Sequence, residues 1–498
     1  MVSTCTDDTG VAAQLIAHRV GGRVLASAAI GAGPDLSAET LEALKVEQLE
    51  IESAFAADAA ALRRLSAAHL DPRAPAVLLK GHAAHLTLGT RRSLRRTLDI
   101  DLVCARPEPL LQAVRRGEAE SYRNPSPHEL ANARFFGRDV DLHAHYPIWD
   151  FAPSRPTWTV AVEDGLVACH AGRLAVSPLE PARLLADALP VPALGAPYVR
   201  VPDPAASILV LAAHGYRNAV SRSSVSVREK PPVRLVELVE IRDLLDHPGF
   251  DRDRLAALAS ALDAGRTLAL AGGLVDAVLD DDRLAALAAS LGSGSDRLPV
   301  SVWGGIWIDP AYDARALLDR HASTEAVANA LGAARLRRDH GAAVRLAPRS
   351  EGGDLLADGA TLHVLGDPAA IDLARGTIVR TATTLTVELE TRARTEAPNR
   401  RVALDVGGFA LEINWNVPTG ALTTKHSDRP ITPVVASRRD GARHVLRVDL
   451  DVRQDPALRA DPLPILVGVG EFERIHAMRA GLLIPLVLGT TEGDRHAG

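Results

Sequence analysis

The chain has 498 residues, 47% of them apolar and 24% charged, with a formal net charge of -6. That length exceeds what one hydrophobic core supports and implies two or three domains, while the near-neutral balance excludes a surface that is basic as a whole, so a nucleic-acid partner is not expected. Cys5, Cys104 and Cys169 are scattered without C-x-x-C spacing, which excludes a zinc module or a disulfide framework, and no apolar run reaches the about eighteen residues of a membrane span.

Residues 1–36 form an N-terminal extension, rich in Gly and Ala and weakly periodic. His18, Arg19 and Arg23 interrupt any signal-peptide core, so the expected location is cytoplasmic, with no membrane partner. Leu44, Ile51, Phe55, Leu62 and Leu65 recur at helical spacing and predict a long amphipathic helix opening a domain over 37–200. A mixed sheet follows over about 75–180. Its first strand, Val77-Leu78-Leu79, ends in Lys80-Gly81; a second, Thr97 to Val103, carries Asp99 and Asp101; a third, Asp139 to His143, carries Asp141.

A helical region is expected over 201–345, with packing helices at Leu255 to Leu262 and Leu284 to Leu291, interrupted by a polar, Pro-closed loop at 221–232. Pro348 to Gly353 reads as a linker, after which the period changes from 3.6 to 2. Leu446, Val448, Leu450 and Val452 alternate with charged residues, and Phe409, Leu411, Ile413 and Trp415 alternate likewise. This predicts a C-terminal all-β sandwich over 355–498, with Trp415 in its core or serving as a stacking platform. The fold class is therefore α+β: a mixed sheet with helices, a helical region and a β-sandwich.

The strand residues carry chemistry. Alternation along a strand puts Asp99 and Asp101 on one face, roughly 7 Å apart, so that a hard cation fits between them. A third carboxylate, Asp141, on another strand completes what two-metal nucleotidyl transfer requires, with oxygen ligands for Mg²⁺ or Mn²⁺ that stabilise the attacking and leaving oxygens. Gly81 would let backbone approach phosphate. Lys80 is one of four lysines in a chain that otherwise uses Arg, consistent with a point-charge role or with an incidental strand-end lysine. The run Arg91-Arg92-Ser93-Leu94-Arg95-Arg96 reads as a triphosphate cradle or as a solvated turn. His143 is expected to support a metal-bound carboxylate, and Asp141, His143 and His145 together form the competing zinc reading. His214, in an apolar stretch, reads as a satisfied core or cleft histidine.

Leu79-Lys80-Gly81, Asp99-Ile-Asp101-Leu-Val103 and Val140-Asp141-Leu-His143 resemble the uncharacterised nucleotidyltransferase family of bacteria, within the DNA polymerase β-like nucleotidyltransferase superfamily. The resemblance runs from about residue 40 to about 265 and takes in Ile208 to Gly215 and Arg234 to Leu245. It implies an NTP donor, a divalent metal and transfer of a nucleoside monophosphate to a hydroxyl, without naming the acceptor. Asp99, Asp101 and Asp141 become the expected catalytic and metal residues, and Lys80, Gly81, His82 and Arg96 the expected nucleotide-binding residues. Gly81 is followed by His82 and stands eighteen positions before Asp99, a longer gap than the superfamily pattern. The acceptor would be a small molecule, sugar or peptide, with carbohydrate or peptide contact through the C-terminal domain. The alternative is a catalytically inactive protein of the same fold, used for binding or recognition.

Overall fold

The computed structural model describes residues 8–29, 35–73, 75–89, 94–123, 128–162, 165–220, 233–293, 300–303, 306–308, 317–318, 334–336, 343–348, 355–357, 363–365, 373–381, 383–392, 399–407, 409–426, 431–441, 443–459, 463–474 and 477–488. The polar stretch 221–232, Arg91 and Arg92 lie outside these residues. Two compact units emerge: residues 1–150, 174–217 and 233–295 form the first, and 151–173, 218–232 and 296–498 the second.

In the first unit, helices α1 (Asp8–Ala17) and α2 (Gly21–Ala29) occupy the stretch read as a weakly periodic extension. Long-range polar contacts hold them: Arg23 pairs with Asp243 at 2.6 Å, and the Leu235 N–H donates to His18 Nδ1 at 3.2 Å. Helix α3 (Ala38–His69) starts where Ser37 accepts a hydrogen bond from the Thr40 N–H at 3.1 Å, one of the cap bonds that satisfy orphan donors. Leu44, Ile51, Leu62 and Leu65 are buried as the spacing predicts; Phe55 is half-buried and packs against His82 and His85.

Strands β1 (Ala76–Leu78), β2 (Ile100–Cys104), β3 (Glu120–Arg123), β4 (Glu129–Phe135) and β5 (Arg138–His143) join one sheet, with helices α4 (Lys80–Leu88) and α5 (Glu108–Arg115) between them. Two long strands, β6 (Tyr146–Val162) and β7 (Gly165–Leu179), then run on into the second unit. After α6 (Pro181–Leu185), β8 (Leu189–Pro190) and β9 (Val199–Val201) complete the sheet in the order β3-β4-β5-β2-β1-β9-β8. Its pairings are mixed: β2 with β5 and β1 with β9 are parallel, and the other pairings are antiparallel. A core of Leu62, Leu65, Leu78, Ile100, Leu102, Phe135, Val140 and Leu142 explains why β1 and β2 read as continuous apolar runs: both their faces are covered.

Helices α7 (Pro204–Val220), α8 (Leu235–Leu245), α9 (Arg252–Ala261), α10 (Gly265–Leu279) and α11 (Arg283–Ser290) form the helical region. The last two lie so close that a Cβ on Gly272 would stand 2.5 Å from the Ala285 nitrogen. Among the described residues the last α-helix ends at Ser290, and the described segments between 300 and 348 are strands except for 317–318. No helix among the described residues is long and apolar enough to cross a membrane.

The second unit is built on sheets that are antiparallel except where Ala334–Leu336 joins Ala477–Leu488. One includes Asn399–Val406, Phe409–Asn416 and Leu463–Arg474; the other includes Leu373–Arg380, Thr384–Arg392 and Arg443–Asp451. Their inner faces share one core, in which Phe409, Leu411, Ile413 and Trp415 meet Leu446, Val448, Leu450 and Val452. Trp415 is buried in that core. The sandwich extends upstream of the expected boundary: Ala343–Pro348 pairs with the strand Leu373–Arg380, and Ala334–Leu336 pairs with Ala477–Leu488. Pro348 closes a strand there, and residues 349–353 lie outside the described residues.

Candidate active site

A single row of the sheet organises the site. Asn132 on β4 is the register partner of Asp141 on β5, and Asp141 is the register partner of Asp101 on β2. The Leu79 N–H donates to the Asp101 carbonyl at 3.0 Å, which brings the end of β1 to the same level. Neighbouring strands lie about 4.8 Å apart, and register partners point to the same face. Asn132, Asp141 and Asp101 are all buried, three polar side chains side by side in a sheet otherwise packed with Leu, Ile and Val.

The chain then turns sharply. Lys80, the first residue of α4, has φ +55°, in the left-handed region that β1 must pass through to enter the helix. A non-Gly residue there carries a conformational cost of the kind that clusters at functional sites. The turn delivers the Lys80 ammonium to 2.7 Å from Asp101 Oδ1. His143 Nε2 lies 3.0 Å from the same oxygen, and Asn132 Nδ2 donates to Asp141 Oδ1 at 2.6 Å. Burial alone would raise the Asp101 pKa, but Lys80 and the hydrogen-bonded His143 outweigh it and hold the carboxyl well below the usual range. Burial likewise opposes the Lys80 charge, yet Asp101, Tyr146 and Asp99 keep its pKa above the ordinary value. Asp99, half-buried, lies one residue ahead of β2 rather than inside it, within electrostatic reach of Lys80, Arg19 and Arg234.

Buried ion pairs surround this row. Arg95 Nε donates to Glu240 Oε1 at 2.8 Å, with both side chains almost fully enclosed. Arg234 reaches Glu237 Oε1 at 3.3 Å, and His214 Nδ1 lies 3.1 Å from the same atom. Burial lowers the His214 pKa to about 4 despite the neighbouring Glu237, so the ring is neutral at physiological pH. Arg19 also has a positive φ, +57°, and donates through Nη1 to the Arg96 carbonyl at 2.5 Å. Burial, Arg234 and Arg95 pull its pKa down, yet it stays cationic at neutral pH.

The expected residues divide accordingly. Lys80, Asp101, Asp141 and His143 converge, with Asp99 at the edge. Gly81 serves Arg95: a Cβ there would lie 2.8 Å from the Arg95 guanidinium carbon, so the missing side chain makes room for that cation. His82 is engaged elsewhere, its Nε2 2.9 Å from Asp58 Oδ2 and 3.2 Å from Thr97 Oγ1, with Arg138 pairing to the other Asp58 oxygen. The half-exposed Arg96 pairs with Glu50 at 3.1 Å. His145 lies two residues past the end of β5. Arg19, Asn132, Arg234, Glu237 and Glu240 were not read from sequence as site residues; Glu237 and Glu240, three apart in the apolar Leu235–Leu245 helix, are the signal that could have found two of them, since buried charges are paired.

Asp101 and Asp141, adjacent in register, with Asp99 at the edge, could hold a hard divalent cation; the described side chains whose ligand atoms already lie within 4.8 Å of one another are His128, Glu129 and His143. The oxygen donors of the three aspartates suit Mg²⁺ or Mn²⁺, and the Lys80 ammonium marks a place built for positive charge. Asn132 Oδ1 is buried without a hydrogen-bond partner among the described residues and offers one more oxygen beside Asp141. A search among curated proteins finds no match. The model of the uncharacterised nucleotidyltransferase family matches residues 4–280, starting well ahead of the stretch that carries the sequence resemblance and covering more than half of the chain. The chain therefore belongs to the uncharacterised nucleotidyltransferase family, whose model spans the sheet, the Lys80 turn and the helices that enclose the carboxylate row.

Proposed function

We propose that this protein is a metal-dependent nucleotidyltransferase that moves a nucleoside monophosphate from an NTP to a hydroxyl of a small-molecule, sugar or peptide acceptor. The observation that supports it best is the placement of Asp101 and Asp141 at one register position of parallel neighbouring strands, with Lys80 on Asp101. Asp99, Asp101 and Asp141 would hold Mg²⁺ or Mn²⁺. When bound, such ions supply Lewis-acid stabilisation of the attacking and departing oxygens.

The remaining work falls to side chains. Lys80 is a point charge one hydrogen bond from the carboxylate row, suited to a phosphoryl oxygen. Arg19, bonded to a carbonyl rather than a carboxylate, contributes cationic field for the polyphosphate, whereas Arg95 and Arg234 are held by Glu240 and Glu237. His143 fixes the Asp101 carboxylate, and Asn132 fixes that of Asp141. Asp141 accepts the proton of the acceptor hydroxyl. The C-terminal sandwich selects or localises the acceptor.

Thermal-shift scans with ATP, CTP, GTP and UTP, each with and without Mg²⁺, test this reading. A ligand that binds only the folded state adds about 2.7 kcal/mol at a hundredfold excess over Kd. At least one NTP should stabilise the protein in a metal-dependent way. No response to any of the four, with Mg²⁺ or with Mn²⁺, would overturn the proposal.

A further inference from the structure

One cluster beside the carboxylate row shares only His143 with the chemistry above. One ligand atom from each of His128, Glu129 and His143 lies within 4.8 Å of the other two. The backbone builds this grouping: Glu129 on β4 is the register partner of His143 on β5, and the Ala144 N–H donates to the His128 carbonyl at 3.1 Å. The imidazoles stack at 5.6 Å with planes 12° apart, Trp149 packs edge-on against His128 at 5.7 Å, and His128 Nε2 lies 3.8 Å from Glu129 Oε1. All three side chains are at least nine-tenths buried.

A second observation points to a ligand. His143 Nδ1 is buried and has no hydrogen-bond partner among the described residues, while Nε2 is engaged by Asp101. An ionised carboxylate only accepts, so Nε2 carries a proton, and in the neutral ring Nδ1 then offers its lone pair. An enclosed, unsatisfied acceptor is costly. A histidine that gives one nitrogen to a metal and donates from the other to a carboxylate is the arrangement in which protein imidazoles bind metals. Two imidazoles and a carboxylate suit a divalent transition metal, above all Zn²⁺, with a fourth position for water, whereas the oxygen-only set of Asp99, Asp101 and Asp141 suits Mg²⁺. Bonds of roughly 2.0–2.2 Å require the three groups to draw together by about an ångström, within reach of side-chain rotation.

We propose that His128, Glu129 and His143, the last through Nδ1, form a transition-metal site filled by Zn²⁺, which pins β4 to β5 and fixes the imidazole that orients Asp101. The site shares His143 with the carboxylate row, but its test reads Zn²⁺ binding and needs neither NTP nor turnover. The test uses the full chain, stripped with EDTA and dialysed, titrated with Zn²⁺ by calorimetry and with Co²⁺ as a visible-absorption probe. One equivalent of Zn²⁺ should bind and excess Mg²⁺ should not displace it; Co²⁺ should give the ligand-field bands of a low-coordinate site. His128→Ala and Glu129→Gln should each weaken Zn²⁺ by more than the roughly 10–100-fold that losing a supporting carboxylate costs. Glu129→Gln, nearly isosteric, decides if His128→Ala misfolds by circular dichroism. Absence of Zn²⁺ binding, displacement by Mg²⁺, or affinity unchanged in Glu129→Gln would each overturn the proposal.

Discussion

Asp101 and Asp141 stand opposite one another on parallel strands, with the Lys80 ammonium and the His143 imidazole on Asp101 and the Asn132 amide donating to Asp141. Two carboxylates side by side repel unless positive charge intervenes. In this protein Lys80 supplies it at Asp101, 2.7 Å from Oδ1, and that contact sets what an isosteric change at Asp101 costs.

Asp101→Asn is expected to abolish turnover and also to lower stability, because it leaves the Lys80 ammonium without its carboxylate. Breaking a buried pair costs about 3–5 kcal/mol, and with the Lys80 side chain 23% exposed the low end applies. Asp141→Asn should also abolish turnover, and its amide oxygen can still accept from Asn132 Nδ2. Urea titration of Asp101→Asn beside the parent checks the loss of stability; unchanged stability would show that the Lys80 pair carries no weight in the fold.

Gly81→Ala should destabilise by about 1–3 kcal/mol through overpacking. The new methyl would meet the Arg95 guanidinium, and Arg95 cannot retreat because Glu240, itself fully enclosed, holds it. Calorimetric melting of the variant is the measurement. A neutral result would mean that Arg95 has room to move, and the buried pair would then be looser than its geometry indicates.

His214 gives a pH dependence whose sign is fixed. Its folded-state pKa is about 4, below the unfolded value of about 6.5, so between these the unfolded chain binds more protons and stability falls with acidification. From pH 7 to pH 4.5 the histidine should account for roughly 2–3 kcal/mol of lost stability. His214→Gln removes that contribution, so its stability should fall less over the same interval. Parallel slopes for the parent and the variant in denaturant titrations at the two pH values would show that the ring is already protonated in the fold.

Much of this fold could be read from local pattern. Leu44, Ile51, Leu62 and Leu65 report one buried helix face, and Leu446, Val448, Leu450 and Val452 report one face of a sandwich, because burial imposes the period of the backbone on neighbouring positions. The carboxylates were legible for the opposite reason, as charges breaking apolar strands. The partners were not. Arg95 meets Glu240 across 145 positions and Arg23 meets Asp243 across 220, so no local window contains either residue with its mate, while Asn132 stands nine positions before Asp141 but meets it only through the pairing of β4 with β5. Gly81 was legible as a close approach, but its neighbour was not: a missing Cβ announces that something comes near, and the fold decides that it is the Arg95 guanidinium.

Lys80→Met distinguishes a cation that serves structure from one that holds a metal carboxylate in waiting. The substitution keeps most of the side-chain volume but removes the charge 2.7 Å from Asp101, leaving a buried carboxylate with the His143 hydrogen bond and the field of Arg95 to compensate it. Without divalent metal the variant should be less stable than the parent, by a margin near the low end of the about 3–5 kcal/mol for a broken buried pair. If Asp101 is a metal ligand, Mn²⁺ can supply the missing charge, and because the variant has no ammonium competing for the carboxylate it should bind Mn²⁺ more tightly than the parent does. The gap in melting temperature between the two should therefore narrow as Mn²⁺ is raised, by RT ln(1 + [L]/Kd) for each protein. A gap that is the same in EDTA and in saturating Mn²⁺ would mean that no metal reaches Asp101, and the assignment of the Asp99, Asp101 and Asp141 group as a metal site would fail.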